Sequence, residues 1–163
     1  MFWRQLSCAI GVSLGSALAA GGQSMDGAAL SASLRAHVQG EQFGVVTSVR
    51  GLPLGVRDGL QKLFGSQTLD IADPGAEFQA TDVVVKPMLP SRRLVAAGCS
   101  ADHCLVYYQR GGIASTWHLA LFHWTPGATR LEGGGVAPAG LARVEDLRSA
   151  ILSGAIKGGA KSW

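Results

Sequence analysis

The chain has 163 residues, which suits one domain with a modest core. Its 14 basic and 11 acidic side chains give a formal net charge of +3 and are scattered along the sequence, so no basic face indicates nucleic-acid binding. A hydrophobic fraction of 47% excludes intrinsic disorder of the whole chain. We interpret Arg92, Arg93 and Arg110 as a small basic group at a solvated strand edge.

The first twenty residues are typical of an export signal. Arg4 precedes the apolar stretch LSCAIGVSLGSAL, and an A-x-A cleavage site ends at Ala19. The apolar stretch is broken by glycine and serine and is too short to span a bilayer, so we expect no membrane anchor. The pattern therefore predicts a signal peptide at residues 1–20, one mature domain at 21–163 and export from the cytoplasm.

Two helical patterns follow before residue 65. In DGAALSASLRAHV the apolar residues recur at i, i+4 and i+8, which predicts a short amphipathic helix. A second helix is predicted after Pro53, a residue that suits a first turn, and Gly65 can adopt the left-handed conformation that ends it. The two apolar faces consist of Leu30, Leu34 and Val38, and of Val56, Leu60, Leu63 and Phe64.

Beyond a turn at Asp73, Pro74 and Gly75 the pattern changes to period two. The predicted strands are FQATDVVV, RRLVAAGC, CLVYYQR, STWHLALFHW and ATRLEGG. Their connections are short, so we expect an antiparallel meander. Large apolar residues occupy both parities of WHLALFHW, which indicates a strand covered on both faces.

A last helix is predicted from apolar residues at helical spacing, with Glu145 and Asp146 in its first turn and Gly154 or Gly158 at its end. Its apolar face consists of Val144, Leu147, Ile151 and Ala155. The expected fold class is α+β, an antiparallel sheet of about five strands with helices packed on it, including a C-terminal helix.

Cys99 and Cys104 are the only cysteines expected in the mature chain, because Cys8 lies in the predicted signal. If Ser100 to His103 form a hairpin loop, the two cysteines face each other with Cα atoms about 4.5 to 5.5 Å apart, inside the range of a disulfide. The predicted export places them in an oxidising compartment. We therefore predict a disulfide that fixes the loop and contributes about 2 kcal/mol to stability.

Other site chemistry has less support. The cysteine spacing lacks the C-x-x-C redox pattern. His118 and His123 point to opposite faces of one strand and cannot chelate a metal together, while His103 supplies a single nitrogen. Neither G-x-S-x-G nor H-E-x-x-H occurs, and the glycines at 133–135 are predicted to form a loop. We expect a protein that is not an enzyme, with no cofactor and no metal, and we interpret His37 as a helix-surface residue.

The predicted loop suits recognition of another protein. A loop that is already rigid is ordered at low cost on binding, and the imidazole of His103 can bind carboxylates. Glycosidases present such a target, a cleft with two catalytic carboxyl groups. The residues Asp102 and His103 therefore indicate a loop that enters an acidic cleft.

The stretch from Arg93 to Trp124, with a C-x4-C loop that contains a histidine, and the C-terminal LRSAILSGAIKG resemble the inhibitor of vertebrate lysozyme (Ivy) family. In that family a disulfide-closed hexapeptide of the type C-K-P-H-D-C plugs the active site of C-type lysozymes. The resemblance implies a single Ivy-like domain at 21–163, with a five-stranded antiparallel sheet. In this chain Asp102 precedes His103, the reverse of the family order. The implied inhibitory loop is Ser100, Ala101, Asp102 and His103.

We therefore expect a periplasmic inhibitor of C-type lysozyme or a related muramidase, so that the partner is a peptidoglycan-cleaving glycosidase. The alternative is a cell-envelope interaction module that binds, for example, an endogenous lytic transglycosylase without inhibiting lysozyme. A third class is a small thiol oxidoreductase. We expect neither nucleic acid nor membrane as a partner, and the sequence leaves the choice between monomer and homodimer open.

Overall fold

Three α-helices, one short 3-10 helix (Val49–Gly51) and five strands are present in the part of the chain that the computed structural model describes, residues 30–83 and 86–158. The helices are α1 (Ala32–Gly40), α2 (Leu54–Phe64) and α3 (Val144–Leu152). The strands are β1 (Gly44–Val46), β2 (Arg92–Cys99), β3 (His103–Arg110), β4 (Thr116–Thr125) and β5 (Ala128–Ala137). The predicted signal peptide lies outside the described residues. Of the described helices, none has the length and apolar character needed to cross a membrane.

The strands form one antiparallel sheet in the order β1-β2-β3-β4-β5. From β2 to β5 each strand pairs with the next one along the chain, so the predicted meander is confirmed. The register places Cys99 opposite Cys104 and His103 opposite His123. With helices against this sheet and α3 at the C-terminal end, the predicted α+β fold is confirmed.

The first strand of the sheet is not the predicted one. β1 has three residues, too few for a period-two pattern to be recognised. In the segment FQATDVVV, residues 78–83 form no strand, and residues 84–85 lie outside the described part of the chain. The amide of Gln79 donates to the carbonyl of Pro90 (2.8 Å), so this segment lies beside the start of β2 as an irregular loop. The prediction of a strand there is wrong.

The glycines at 133–135 lie inside β5, so the predicted loop at this position is also wrong. Val136 and Lys157 exchange two backbone hydrogen bonds of 2.7 and 2.8 Å, which bring the C-terminal segment against the edge of β5. A Cβ atom on Gly135 would lie 2.3 Å from the carbonyl oxygen of Lys157. Glycine is needed here because two stretches of backbone approach each other directly.

Two apolar clusters fill the two faces of the sheet. The first lies under α1 and α3, and the second lies under α2. Alternate residues of β4 enter different clusters: Leu119 and Leu121 belong to the first, and Ala120 and Phe122 to the second. The prediction that this strand is covered on both faces is confirmed. Full burial of each large apolar side chain contributes about 1.5 to 3 kcal/mol, so packing stabilises both layers.

The helix ends are capped by glycine, a hydroxyl and a guanidinium, and of these the glycine end of α2 was predicted. Gly65 ends α2 in the left-handed conformation, with φ 63°. The hydroxyl of Ser31 accepts from the Leu34 amide at the start of α1. At the end of α1 the guanidinium of Arg148, on α3, donates to the carbonyl of Val38 (2.9 Å) and to that of the next residue. A cation at a helix C-terminus is favourable, and it fixes this end of α1 over the sheet.

Candidate functional site

The β2–β3 hairpin ends in a tight turn closed by the disulfide Cys99–Cys104, as predicted. The amide of Ser100 donates to the carbonyl of His103 (2.7 Å), so only Ala101 and Asp102 occupy the centre of the turn. The predicted loop of Ser100 to His103 is therefore too long, because His103 is the first residue of β3. The disulfide and the cross-turn hydrogen bond together hold the two central residues in place.

The turn does not project freely from the sheet. The amide of Trp124, near the end of β4, donates to the carbonyl of Asp102 (2.8 Å). This hydrogen bond continues the β3–β4 ladder as far as the turn. Ala101 is nevertheless exposed, and the side chain of Asp102 is 39% exposed. The turn therefore offers two residues to the outside while its backbone is anchored in the sheet.

His103 is buried, and the expectation of an exposed imidazole at the tip is wrong. Its side chain is 4% exposed. Side chains of a strand alternate between faces, and His103 has the parity of Leu105 and Tyr107, which pack in the cluster under α1 and α3. The imidazole therefore faces the interior and the end of α1.

The carboxylate of Glu41 is a hydrogen-bond partner of the His103 imidazole. Glu41 directly follows the last turn of α1, and its two carboxylate oxygens lie 3.1 and 3.2 Å from Nδ1 of His103. Asp102 Oδ1 lies 3.1 Å from the same nitrogen. Because carboxylates accept and do not donate when ionised, we place a proton on this nitrogen. The hydroxyl of Ser100 also donates to Glu41, so α1 and the hairpin turn are joined by side chains.

His37 completes the group. It lies one helical turn before Glu41, at i and i+4, and its Nδ1 is 2.6 Å from Oε1 of that carboxylate. The rings of His37 and His103 have centroids 5.0 Å apart, and those of His103 and His123 are 5.2 Å apart. His37 is exposed by 45%, which agrees with its interpretation as a helix-surface residue. We call His37, Glu41, Asp102 and His103 the α1–hairpin cluster.

A cavity of about 210 Å³ opens beside the cluster. Its walls include His37, Asp102, His103 and His123, together with the ion pair of Arg130 and Glu132. Burial opposes the ionised form of Asp102, but attraction and hydrogen bonding to His103, with a smaller contribution from His37, outweigh it, so the pKa of Asp102 lies below its ordinary value. The cavity therefore has an ionised carboxylate and imidazole nitrogens at its wall.

A second polar group lies at the opposite end of the β2–β3 ladder. Arg92 is 7% exposed and its guanidinium is 2.6 Å from a carboxylate oxygen of Asp70. Asp70 also accepts from the backbone amide of Ser91 (2.7 Å), and the ring of Phe64 covers the guanidinium at 4.1 Å. The interpretation of Arg92 as part of a solvated strand edge is wrong, because the loop that contains Asp70 covers it.

The other histidine of β4 lies on the opposite face, as predicted from its separation from His123. His118 is buried, its Nε2 is 2.8 Å from the hydroxyl of Thr116, and its ring stacks on Tyr108 with centroids 5.3 Å apart. Burial, followed by repulsion from Arg110 and Arg92, lowers the pKa of His118 to about 4. This histidine is neutral and structural.

Reasoning from the sequence did not find Glu41 or the relation between His37 and His103. A helical i, i+4 pair of histidine and glutamate was visible in the sequence, but such pairs are common on helix surfaces. The contact between α1 and the hairpin turn joins residues 62 positions apart, and no local pattern encodes it.

Comparison of the chain with protein-family models, with curated proteins and with solved structures found no match. The resemblance to the lysozyme inhibitors therefore rests on the sequence features quoted above.

Proposed function

We propose that the protein is a periplasmic inhibitor of a C-type lysozyme or a related muramidase, and that it acts through the turn between Cys99 and Cys104. What supports this is a disulfide-closed turn that presents Ala101 and Asp102 to the outside on an anchored backbone. The cost of ordering these residues has been met before the partner arrives, which favours binding.

The turn would engage the target through Asp102. A muramidase needs one protonated catalytic carboxyl group, which is a hydrogen-bond donor. The low pKa of Asp102 keeps its carboxylate an acceptor. The target's acid would therefore donate to Asp102 and lose access to the glycosidic oxygen of its substrate, while the small side chain of Ala101 allows close approach.

His103 has a different role in this mechanism from the one expected from the sequence. Its imidazole lies behind Asp102 and bridges that carboxylate to Glu41. It is therefore a positioning residue that fixes the orientation of Asp102, and it does not touch the target.

The test is a cell-wall lysis assay with the purified mature protein and several C-type lysozymes. We expect inhibition at molar excess, and we expect Asp102→Asn to weaken it by at least about tenfold, since loss of a desolvated charged partner costs 2 to 5 kcal/mol. Asp58→Asn removes the same charge from the exposed face of α2 and should leave inhibition unchanged. Undiminished lysis with every lysozyme at excess protein would overturn the proposal.

A second candidate is a cell-envelope interaction module that binds a partner such as an endogenous lytic transglycosylase. Val45, on the short edge strand β1, is 71% exposed and lies next to Gly44, which pairs with Cys99. An exposed apolar side chain on an edge strand beside the turn favours a protein partner that covers both. Capture of a glycosidase from periplasmic extract by the wild type, and loss of that capture in Val45→Lys, would favour this candidate if lysozyme is not inhibited.

A further inference from the structure

We propose that the α1–hairpin cluster is a binding site for one Zn²⁺ ion, with His37, Glu41, Asp102 and His103 as its four ligands. This site goes beyond inhibition of a glycosidase and does not depend on it. The four residues come from the last turn of α1 and from the hairpin turn, which the fold brings together.

The distances suit a four-coordinate ion. One ligand atom from each of the four residues lies within 4.8 Å of every other. Zinc with nitrogen and oxygen ligands at about 2.0 to 2.1 Å has tetrahedral edges of about 3.3 Å. Nδ1 of His103 is 3.1 Å from oxygens of both Glu41 and Asp102, close to that edge. Some pairs of ligand atoms are farther apart than this edge. Rotation of the side chains of His37 and Asp102, the two more exposed ligands, brings these atoms closer together.

The donor set selects the class of metal. Two imidazoles and two carboxylates suit zinc and its neighbours in the first transition row, whereas magnesium and calcium prefer sites made of oxygen alone. Two carboxylates also balance the charge of a divalent ion. The nearby cation Arg130 is paired with Glu132, with nitrogen and oxygen 2.6 Å apart, which reduces its repulsion of a bound metal.

The ligands are held by structure that binding need not create. The side chain of His103 is fixed by burial within β3, and the backbone of Asp102 is fixed by the disulfide-closed turn. Glu41 follows the end of α1, which Arg148 holds against α3. His37 and the adjoining cavity of about 210 Å³ give an ion a route from solvent. Binding would replace the N–H···O hydrogen bonds of the cluster with metal bonds and tie α1 to the hairpin.

The experiment titrates tag-free, oxidised mature protein with Zn²⁺ by calorimetry, and with Co²⁺ by visible absorption. We expect one ion per chain, the intense visible bands of tetrahedral Co²⁺, and a rise in Tm on addition of Zn²⁺. His37→Ala and Glu41→Gln should each weaken binding by at least about tenfold, as expected for loss of a ligand. His37 is on the surface, so its variant should fold, and circular dichroism checks this.

His123→Gln is the matched control, since it changes an imidazole beside the cavity that is not one of the four ligands. It should bind Zn²⁺ like the wild type. Weak binding of several ions, or binding that His37→Ala leaves unchanged, would overturn the proposal. Loss of binding in His123→Gln with retention in His37→Ala would overturn the assigned ligands. The measurement involves no lysozyme, so its result and that of the lysis assay are separate.

Discussion

At one end of the β2–β3 ladder Arg92 is paired with Asp70, and at the other end His103 is paired with Glu41 and Asp102. The side chains of Arg92 and His103 are both almost fully buried. Each binds carboxylates of residues that lie outside the two strands, in the turn or in other segments. The surroundings differ. An aromatic ring covers the guanidinium of Arg92, whereas a cavity and a half-exposed histidine adjoin His103.

The comparison separates a structural polar group from one that can react with something else. Asp70 accepts from a guanidinium, a backbone amide and a hydroxyl, so its oxygens have partners within the protein. At the other end two carboxylates accept hydrogen bonds from imidazole N–H groups, and a metal ion can replace the proton of such a group. We therefore expect substitutions at the Arg92 end to change stability most, and those at the His103 end to change binding most.

The largest effect is expected for Arg92→Ala. It leaves the carboxylate of Asp70 without its cation, and the free energy of unfolding in denaturant should fall by about 3 to 5 kcal/mol. Arg130→Ala is the control, because the side chain of Arg130 is 64% exposed in its pair with Glu132, whereas that of Arg92 is buried, and the loss of Arg130 should cost about 1 kcal/mol or less. Equal losses in the two variants would remove the distinction between the two ends of the ladder.

The next effect is a dependence of stability on pH that arises from His118, beside the Arg92 end. Its pKa is about 4 in the folded protein and about 6.5 in an unfolded chain. As the pH falls, the imidazole is therefore protonated in the unfolded state before it is protonated in the folded state. The contribution of His118 to the free energy of unfolding is complete above about pH 6.5 and is lost as the pH falls towards about 4. This contribution is at most roughly 3 kcal/mol.

Unfolding free energies of the wild type and of His118→Gln across this range measure the contribution of His118. The variant should lose less stability on acidification than the wild type. Identical pH profiles would show that His118 does not titrate differently in the two states.

Removal of the disulfide should have an intermediate effect. In the double variant Cys99→Ser with Cys104→Ser, the free energy of unfolding should fall by about 2 kcal/mol, the value for a ring of this size. Relative to the wild type, hydrogen exchange in this variant should accelerate more in the turn, at Ala101 and Asp102, than in β5. Uniform acceleration across the sheet would contradict a local role for the disulfide.

Apart from the control Arg130→Ala, the smallest effect on stability is expected for Glu41→Gln. The amide keeps one carbonyl oxygen as an acceptor, so the cost should be about 1 kcal/mol. The same variant should nevertheless bind Zn²⁺ at least about tenfold more weakly than the wild type. A loss of stability as large as that of Arg92→Ala would mean that the α1–hairpin cluster is chiefly structural.

Most of the regular structure was predictable from local patterns. Helical spacing located α1, α2 and α3, and alternation located β2 to β5. The spacing of the cysteines, together with the predicted export, indicated the disulfide. β1 was not predicted because three residues are too few to show an alternating pattern. The glycines at 133–135 were not assigned to β5 because the need for glycine there comes from the backbone of Lys157, which is distant in the sequence.

The candidate site was predictable only in part. The turn and its Asp102 were identified, but the predicted strand began at Cys104, so His103 was wrongly assigned to the loop. A start one residue earlier assigns His103 the parity of Leu105 and Tyr107, and parity alone then predicts burial. Glu41 required knowledge of where α1 packs, which depends on long-range contacts with α3.

The order of the two residues at positions 102 and 103 sets the chemical character of the turn. The side chain at position 102 is partly exposed to solvent and the one at position 103 is buried, so in the present order the acid is exposed and the base is buried. Exchanging them, as in Asp102→His with His103→Asp, would present a base and place a carboxylate beside Glu41. Two chains with the same composition in this turn would then present groups of opposite charge to solvent.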